Sequence, residues 1–229
     1  MSESKPLILV IGATGRFAGP VAPELEKSGA TDTMTNNKEL IDYINRFVNL
    51  TQEESEAFSD AFRRKKIKKR QLIVQPNFTA RHRHFVVQGA FRAYILDNGG
   101  SENTIAFAIE DGWITDCTSY IDQEPATMFV EALEDSITLC IELDKEQQLK
   151  KENHKFETFF RIMAEEGLSI QRERIISNLT MSAEERYNHF ISQYAHIVQR
   201  IPQYAIASHL GMTPEFLSKI RNSKVSRKS

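Results

Sequence analysis

Cysteine and tryptophan are scarce: the 229 residues hold two cysteines, Cys117 and Cys140, and one tryptophan, Trp113. Two thiols cannot build a disulfide framework or an all-cysteine metal site, and an iron–sulfur cluster needs about four ligands. A reducing, cytoplasmic setting is therefore the expectation. No apolar run approaches the ~18 residues of a membrane span. The apolar stretch at residues 7–11 is also too short for the core of a secretion signal. What the chain does have is core-forming material: 41% of it is hydrophobic and 26% charged. That composition excludes a disordered or fibrous class. The length suits one large domain or two modest ones. The formal charge of -2 hides an asymmetry, because residues 200–229 hold six Lys/Arg against one acid, Glu215. A basic end on a near-neutral body points to an acidic partner.

The N-terminal stretch reads as a strand, residues 7–11, then Gly12-Ala13-Thr14-Gly15-Arg16-Phe17-Ala18-Gly19, then a helix to about residue 28. Glycines permit a tight turn, and a helix N-terminus can face a pyrophosphate. This resembles the opening of the NAD(P)-binding, NmrA-like reductases, and it implies an alternative function as an NAD(P)-dependent reductase. A Rossmann unit also needs a second parallel strand ending in a ribose-reading residue. Here residues 29–38 are polar, the next periodic segment is helical, and no Tyr-x-x-x-Lys pair occurs. Residues 1–33 are thus expected to be an orphan Rossmann-like extension, dispensable and without cofactor.

Residues 37–48 carry Leu40, Ile41, Ile44, Phe47 and Val48 at helical spacing. Thr51 and Glu54 form the signature of a capping box that opens a second helix. Residues 63–70 then place seven basic side chains in eight positions. The reading is a solvated helix end leading into a strand, with a nucleic-acid patch as the sharper alternative. From residue 71 to 141 short β-rich pieces alternate with turn signals and no helices intervene. That texture means an antiparallel roll or sandwich rather than βαβ units. Asn98-Gly99 is the sharpest hairpin signal. His82-Arg83-His84 could suggest metal, but a cationic Arg83 and the lack of nearby carboxylate or cysteine in sequence argue against it. No metal and no cofactor are expected.

Beyond residue 144 the texture is helical again. Phe156, Phe159, Phe160, Met163, Gly167 and Ile170 follow three-and-four spacing, which predicts a helix continuing to about residue 179. Its apolar positions predict packing on its own domain and on a partner helix, with Phe159 and Met163 solvent-exposed in a monomer. Ser182 and Glu185 form another capping box. Two short helices then flank Gly211, the second capped by Thr213 with Pro214 in its first position. Phe216, Leu217 and Ile220 are expected to face inward. This is the helix-turn-helix pattern.

A β-roll, a long helix and a C-terminal helix-turn-helix together resemble the Crp/Fnr family of transcription regulators over residues 34–221. The carrying motifs are Phe85-Val86-Val87-Gln88-Gly89-Ala90-Phe91-Arg92-Ala93-Tyr94, the hairpin at residues 97–100, Trp113-Ile114-Thr115-Asp116, Phe129-Val130-Glu131-Ala132-Leu133-Glu134-Asp135 and the segment from Ile206 to Ile220. The resemblance implies an α+β chain. Residues 34–150 would be an antiparallel, jelly-roll-like β-roll sensor and residues 151–181 a dimerisation helix. Residues 182–229 would be a helix-turn-helix domain. The implied partners are double-stranded DNA, a second copy of the chain and an unidentified small-molecule effector, with no membrane and no enzymatic activity. DNA contacts fall on Thr213, Glu215, Ser218, Lys219, Arg221 and Lys224, and an effector pocket on Arg92, Thr115, Asp116, Ala126 and Thr127. Members that bind cyclic AMP place a Gly-Glu pair and, about ten residues on, an Arg-Ser pair in this region. The glutamate accepts from the ribose hydroxyl and the arginine neutralises the phosphate. The matching positions are Thr115-Asp116 and Ala126-Thr127. Ala126 cannot pair with a phosphate, and burying that charge unpaired costs several kcal/mol. Cyclic AMP is therefore not expected to bind.

Overall fold

The computed structural model describes residues 37–195 and 198–226, with the side chains of 224–226 left out. The glycine motif and the whole N-terminal extension lie outside the described residues.

Two short helices come first, α1 (Lys38–Ile44) and α2 (Gln52–Asp60). The Thr51–Glu54 capping box is formed. Eight strands follow: β1 (Arg63–Ile67), β2 (Leu72–Val74), β3 (His82–Gln88), β4 (Phe91–Leu96), β5 (Glu102–Ala108), β6 (Trp113–Ile114), β7 (Phe129–Ala132) and β8 (Ser136–Glu142). They form two four-stranded antiparallel sheets, ordered β1-β8-β3-β6 and β2-β7-β4-β5. Between β6 and β7 sits a short helix, α3 (Cys117–Asp122). The chain closes with α4 (Leu143–Glu152), α5 (His154–Thr180), α6 (Ala183–Tyr194), α7 (Gln203–His209) and α8 (Pro214–Ser226).

Alternation along the strands separates three cores. Val86, Phe91, Ala93, Ala106, Ala108, Val130 and Ala132 point between the sheets, with Tyr120 and Met128. Phe85, Leu139 and Ile141 point the other way, onto α1, α2 and the start of α5. Phe107 points outward from the second sheet onto Phe190, Ile206 and Leu210 of the C-terminal helices.

The first five residues of the basic run, Arg63–Ile67, form a strand rather than a helix end. Arg63–Ile67 pairs with β8, and the cations find carboxylates: Arg64 with Glu39 at 2.8 Å and Lys68 with Asp135 at 3.3 Å. The hairpin after β4 is where expected, but Gly100 takes the positive φ of 80°, not Gly99. Asp97 closes the loop by accepting from the N–H groups of Gly99 and Ser101 at 2.8 and 2.9 Å.

Phe159 and Met163 correct a second expectation: both are buried within one chain. Phe159 meets Tyr43, Phe58 and Trp113, so this end of α5 belongs to the roll. The large exposed apolar residues of α5 are Leu168, Ile175, Ile176 and Leu179, the last 80% exposed.

Candidate nucleic-acid interface and effector site

The C-terminal helices are built around a four-residue turn. Gly211 adopts φ of 67°, which a glycine takes without a Cβ penalty, and Met212 N–H donates back to Ala207 O at 2.9 Å. Thr213 then accepts from Phe216 N–H at 3.2 Å, starting α8. Ala205, Ile206, Leu217 and Ile220 are buried and hold α7 against α8. Thr213, Glu215, Ser218, Lys219 and Arg221 are all exposed along α8. The carboxylate of Glu215 is held below its usual range by its own backbone N–H and by the Thr213 hydroxyl. The side chain of Lys224 lies outside the described residues. Phe216 departs from the sequence reading: it is 47% exposed and shares the outward surface with Lys219 and Glu215.

α7 is docked on the second sheet. Thr104 N–H donates to Ser208 Oγ at 2.8 Å, and Ser208 Oγ donates to Glu102 O at 2.7 Å. Arg174 of α5 donates to Ile105 O, Thr104 O and His209 O at 2.6, 3.1 and 3.1 Å. A single arginine thus ties the long helix, the roll and α7 together. Sequence reasoning missed it, because its three acceptors are backbone carbonyls that carry no sequence signature.

Four of the five expected effector residues come together. Asp116 is buried and caps α3, accepting from Ser119 N–H at 3.2 Å and from Thr127 N–H at 3.0 Å. Thr115 Oγ1 donates to His82 O at 2.9 Å. Ala126 is buried, and the Thr127 side chain is exposed. Arg92 stands apart from them. Its neighbours Phe91 and Ala93 face the roll interior, so Arg92 points out of the sheet. There it pairs with Glu131 at 2.8 Å and Glu102 at 2.6 Å, with the Tyr94 and Tyr204 rings against its guanidinium. The strand register explains this: β4 alternates, and Arg92 lies opposite Glu131.

The two histidines of β3 share a face, as the spacing requires. His84 accepts or donates to Thr138 Oγ1 at 3.1 Å, and burial pushes its pKa down to about 3. β8 also brings Glu142 opposite His82, a carboxylate that sequence distance concealed. Among the described residues no group of three or more His, Cys, Asp or Glu side chains is placed to hold a metal ion.

Residues 64–153, which run from β1 through α4, match the family model described as "Cyclic nucleotide-binding domain". Much of the chain is also similar to solved structures. FixK2 from Bradyrhizobium japonicum superposes with a TM-score of 0.65 at 16% identity, over 73% of this chain and 86% of that one. A CooA mutant from Carboxydothermus hydrogenoformans gives 0.62 at 20% identity, over 86% of each chain. A Crp/Fnr-family regulator from Eubacterium rectale, itself described as putative, gives 0.62 at 20% identity over 81% and 88%. The sequence matches no curated protein. The chain therefore shares the fold of these structures. None of the described helices is long and apolar enough to cross a membrane.

Proposed function

We propose that this chain is a dimeric, sequence-specific DNA-binding transcription regulator of Crp/Fnr type, acting in the cytoplasm. α7 and α8 serve as its helix-turn-helix. The observation that carries this reading is α8 itself: Leu217 and Ile220 are buried, while Glu215, Phe216, Ser218, Lys219 and Arg221 stand outward in one short helix. A second helix of this kind enters the major groove, with N-terminal residues at base edges and later basic residues near phosphates. Glu215 suits a cytosine amino group, and Arg221 and the following Lys224 suit phosphates. Dimerisation falls to the exposed face of α5, where Leu168, Ile175 and Leu179 repeat at helical spacing.

The cyclic nucleotide-binding domain does not take cyclic AMP in this reading. The carboxylate of Asp116 already accepts the N–H groups of Ser119 and Thr127 at the start of α3. Committed to these N–H groups, it is not free to accept a ribose hydroxyl, and Ala126 offers no cation to neutralise the cyclic phosphate.

The test measures affinity for a selected operator and a scrambled duplex at two salt concentrations. Glu215→Ala is expected to relax one base position and cost about 1–3 kcal/mol on the operator. Arg221→Ala is expected to weaken both duplexes and flatten the salt slope by about one. If both variants bind both duplexes like the parent, α8 is not the reading helix and the proposal fails.

A further inference from the structure

A cavity of ≈ 90 Å³ lies where α5, β5, α6 and α7 meet. Its apolar wall comes from Ile170, Phe107, Phe190 and Leu210. Arg174 and His209 supply the polar wall. All three of Arg174's hydrogen bonds go to neutral backbone carbonyls. No ion pair to it is formed among the described residues, and its Nε–H is buried without a partner. The same holds for Nδ1 of His209, whose ring is packed 5.1 Å from Phe107 and 5.7 Å from Phe190. A desolvated cation with an unused donor is costly to leave unpaired.

Other charged groups at the cavity do not satisfy it. Arg186 donates to Leu210 O and Met181 O at 3.1 and 2.8 Å, which adds a second cation. Glu173 and His189 also line the space, but Glu173 is exposed to solvent. Burial and the neighbouring Arg174 keep His209 neutral, with a pKa pushed down to about 3. The wall therefore carries positive charge beside hydrocarbon.

We propose that this cavity binds a small carboxylic acid with an apolar body. The carboxylate takes the free Nε–H of Arg174, and the hydrocarbon lies against Ile170, Phe107, Phe190 and Leu210. One spare N–H fits a monoanion with one oxygen presented; a phosphate dianion needs several donors that this wall has already committed to carbonyls. The site is separate from the Asp116 region inside the cyclic nucleotide-binding domain. Binding itself does not depend on the regulator reading, although any effect on DNA affinity does.

Isothermal calorimetry on the full chain tests this with benzoate, hexanoate and 2-naphthoate, each beside its uncharged amide. Saturable binding of at least one acid is expected, with its amide about tenfold weaker or worse, the cost of losing a charge-assisted hydrogen bond. Arg174→Gln should weaken the acid to the level of the amide. Because Arg174 also ties three elements together, Ile170→Trp is the second variant: it fills the cavity and leaves every Arg174 hydrogen bond in place. It should abolish binding while the melting temperature holds. No saturable heat from any acid at millimolar concentration overturns the proposal. So does an amide that binds as well as its acid, or undiminished binding by folded Ile170→Trp.

Discussion

Arg200 and Glu110 form a two-pronged ion pair across the join between the C-terminal helices and the roll. Nη1 meets Oε2 at 2.7 Å and Nη2 meets Oε1 at 2.9 Å. Nη2 also reaches Glu134, and Glu110 in turn accepts Gly89 N–H at 2.8 Å. Burial alone would raise the pKa of Glu110, but Arg200 and the Gly89 N–H outweigh it and hold the carboxyl below its usual range. Arg200 itself is shifted upward, mainly by Glu110 and Glu134.

Arg200→Ala is expected to loosen α7 and cost about 1 kcal/mol, the upper end for a partly exposed pair. A carboxyl with a depressed folded pKa stabilises fully above its unfolded value, about 4.3, and loses that as pH falls through the folded value. The gap in melting temperature between parent and variant should thus be full at pH 7 and shrink below about pH 4. A gap that grows on acidification contradicts the assignment. Hydrogen exchange should show faster opening of α7 amides in the variant.

On the regulator reading, Ile175→Glu should convert a dimer to a monomer by light scattering without lowering the melting temperature of the roll. Ile175 is 57% exposed, so the new charge stays hydrated in the monomer. Met163→Glu should instead unfold the chain, since Met163 is 2% exposed among Phe and Trp side chains. A monomeric, folded Met163→Glu would move the interface back to that end of α5.

Glu146 is the hub of a buried polar cluster. It pairs with Arg83 at 3.1 Å and Lys150 at 2.6 Å, and accepts from the Tyr120 hydroxyl at 3.0 Å. Glu146→Ala leaves a nearly buried guanidinium beside Tyr120 and Phe160 without its carboxylate. The expected cost is about 3–5 kcal/mol in urea unfolding. Glu146→Gln keeps an acceptor and should lie between the two.

Phe216→Ala should leave stability within about 0.5 kcal/mol, because the ring is half exposed. On the regulator reading it should relax an A·T preference at one operator position, since an exposed ring on a reading helix suits a thymine methyl. Binding-site selection with parent and variant would show it; identical selected sequences would place Phe216 outside the interface.

Most of the roll was legible because its signals are local. Six of the eight strands coincide with β-rich pieces between turn residues, and both capping boxes form as their spacing demands. The two strands that escaped had their patterns masked. β1 is Arg-Arg-Lys-Lys-Ile, whose charge reads as solvated surface until β8 and its carboxylates are beside it. β6 is two residues long, too short for any period. Burial on α5 was misjudged for a related reason. Phe159 and Met163 lack a visible partner in sequence because α1 and α2, more than a hundred residues earlier, supply it. The position of Arg92 depended on strand parity, where a shift of one residue exchanges interior for exterior.

α5 is 27 residues long, and one side of it serves two clients. Phe156, Phe159, Phe160, Met163 and Ile170 pack on the core beside the roll, while Arg174, further along the same side, meets β5 and α7. An α-helix turns about 100° per residue, so the two client surfaces are locked in angular phase by the number of residues between them. Adding a single alanine between Ile170 and Arg174 would remove no side chain, yet swing the C-terminal helices about a quarter-turn away from β5. Adding a full heptad would nearly restore the orientation and displace the docking by about 10 Å along the axis. The orientation of α8 relative to the roll is therefore a counted quantity, set by chain length along one helix.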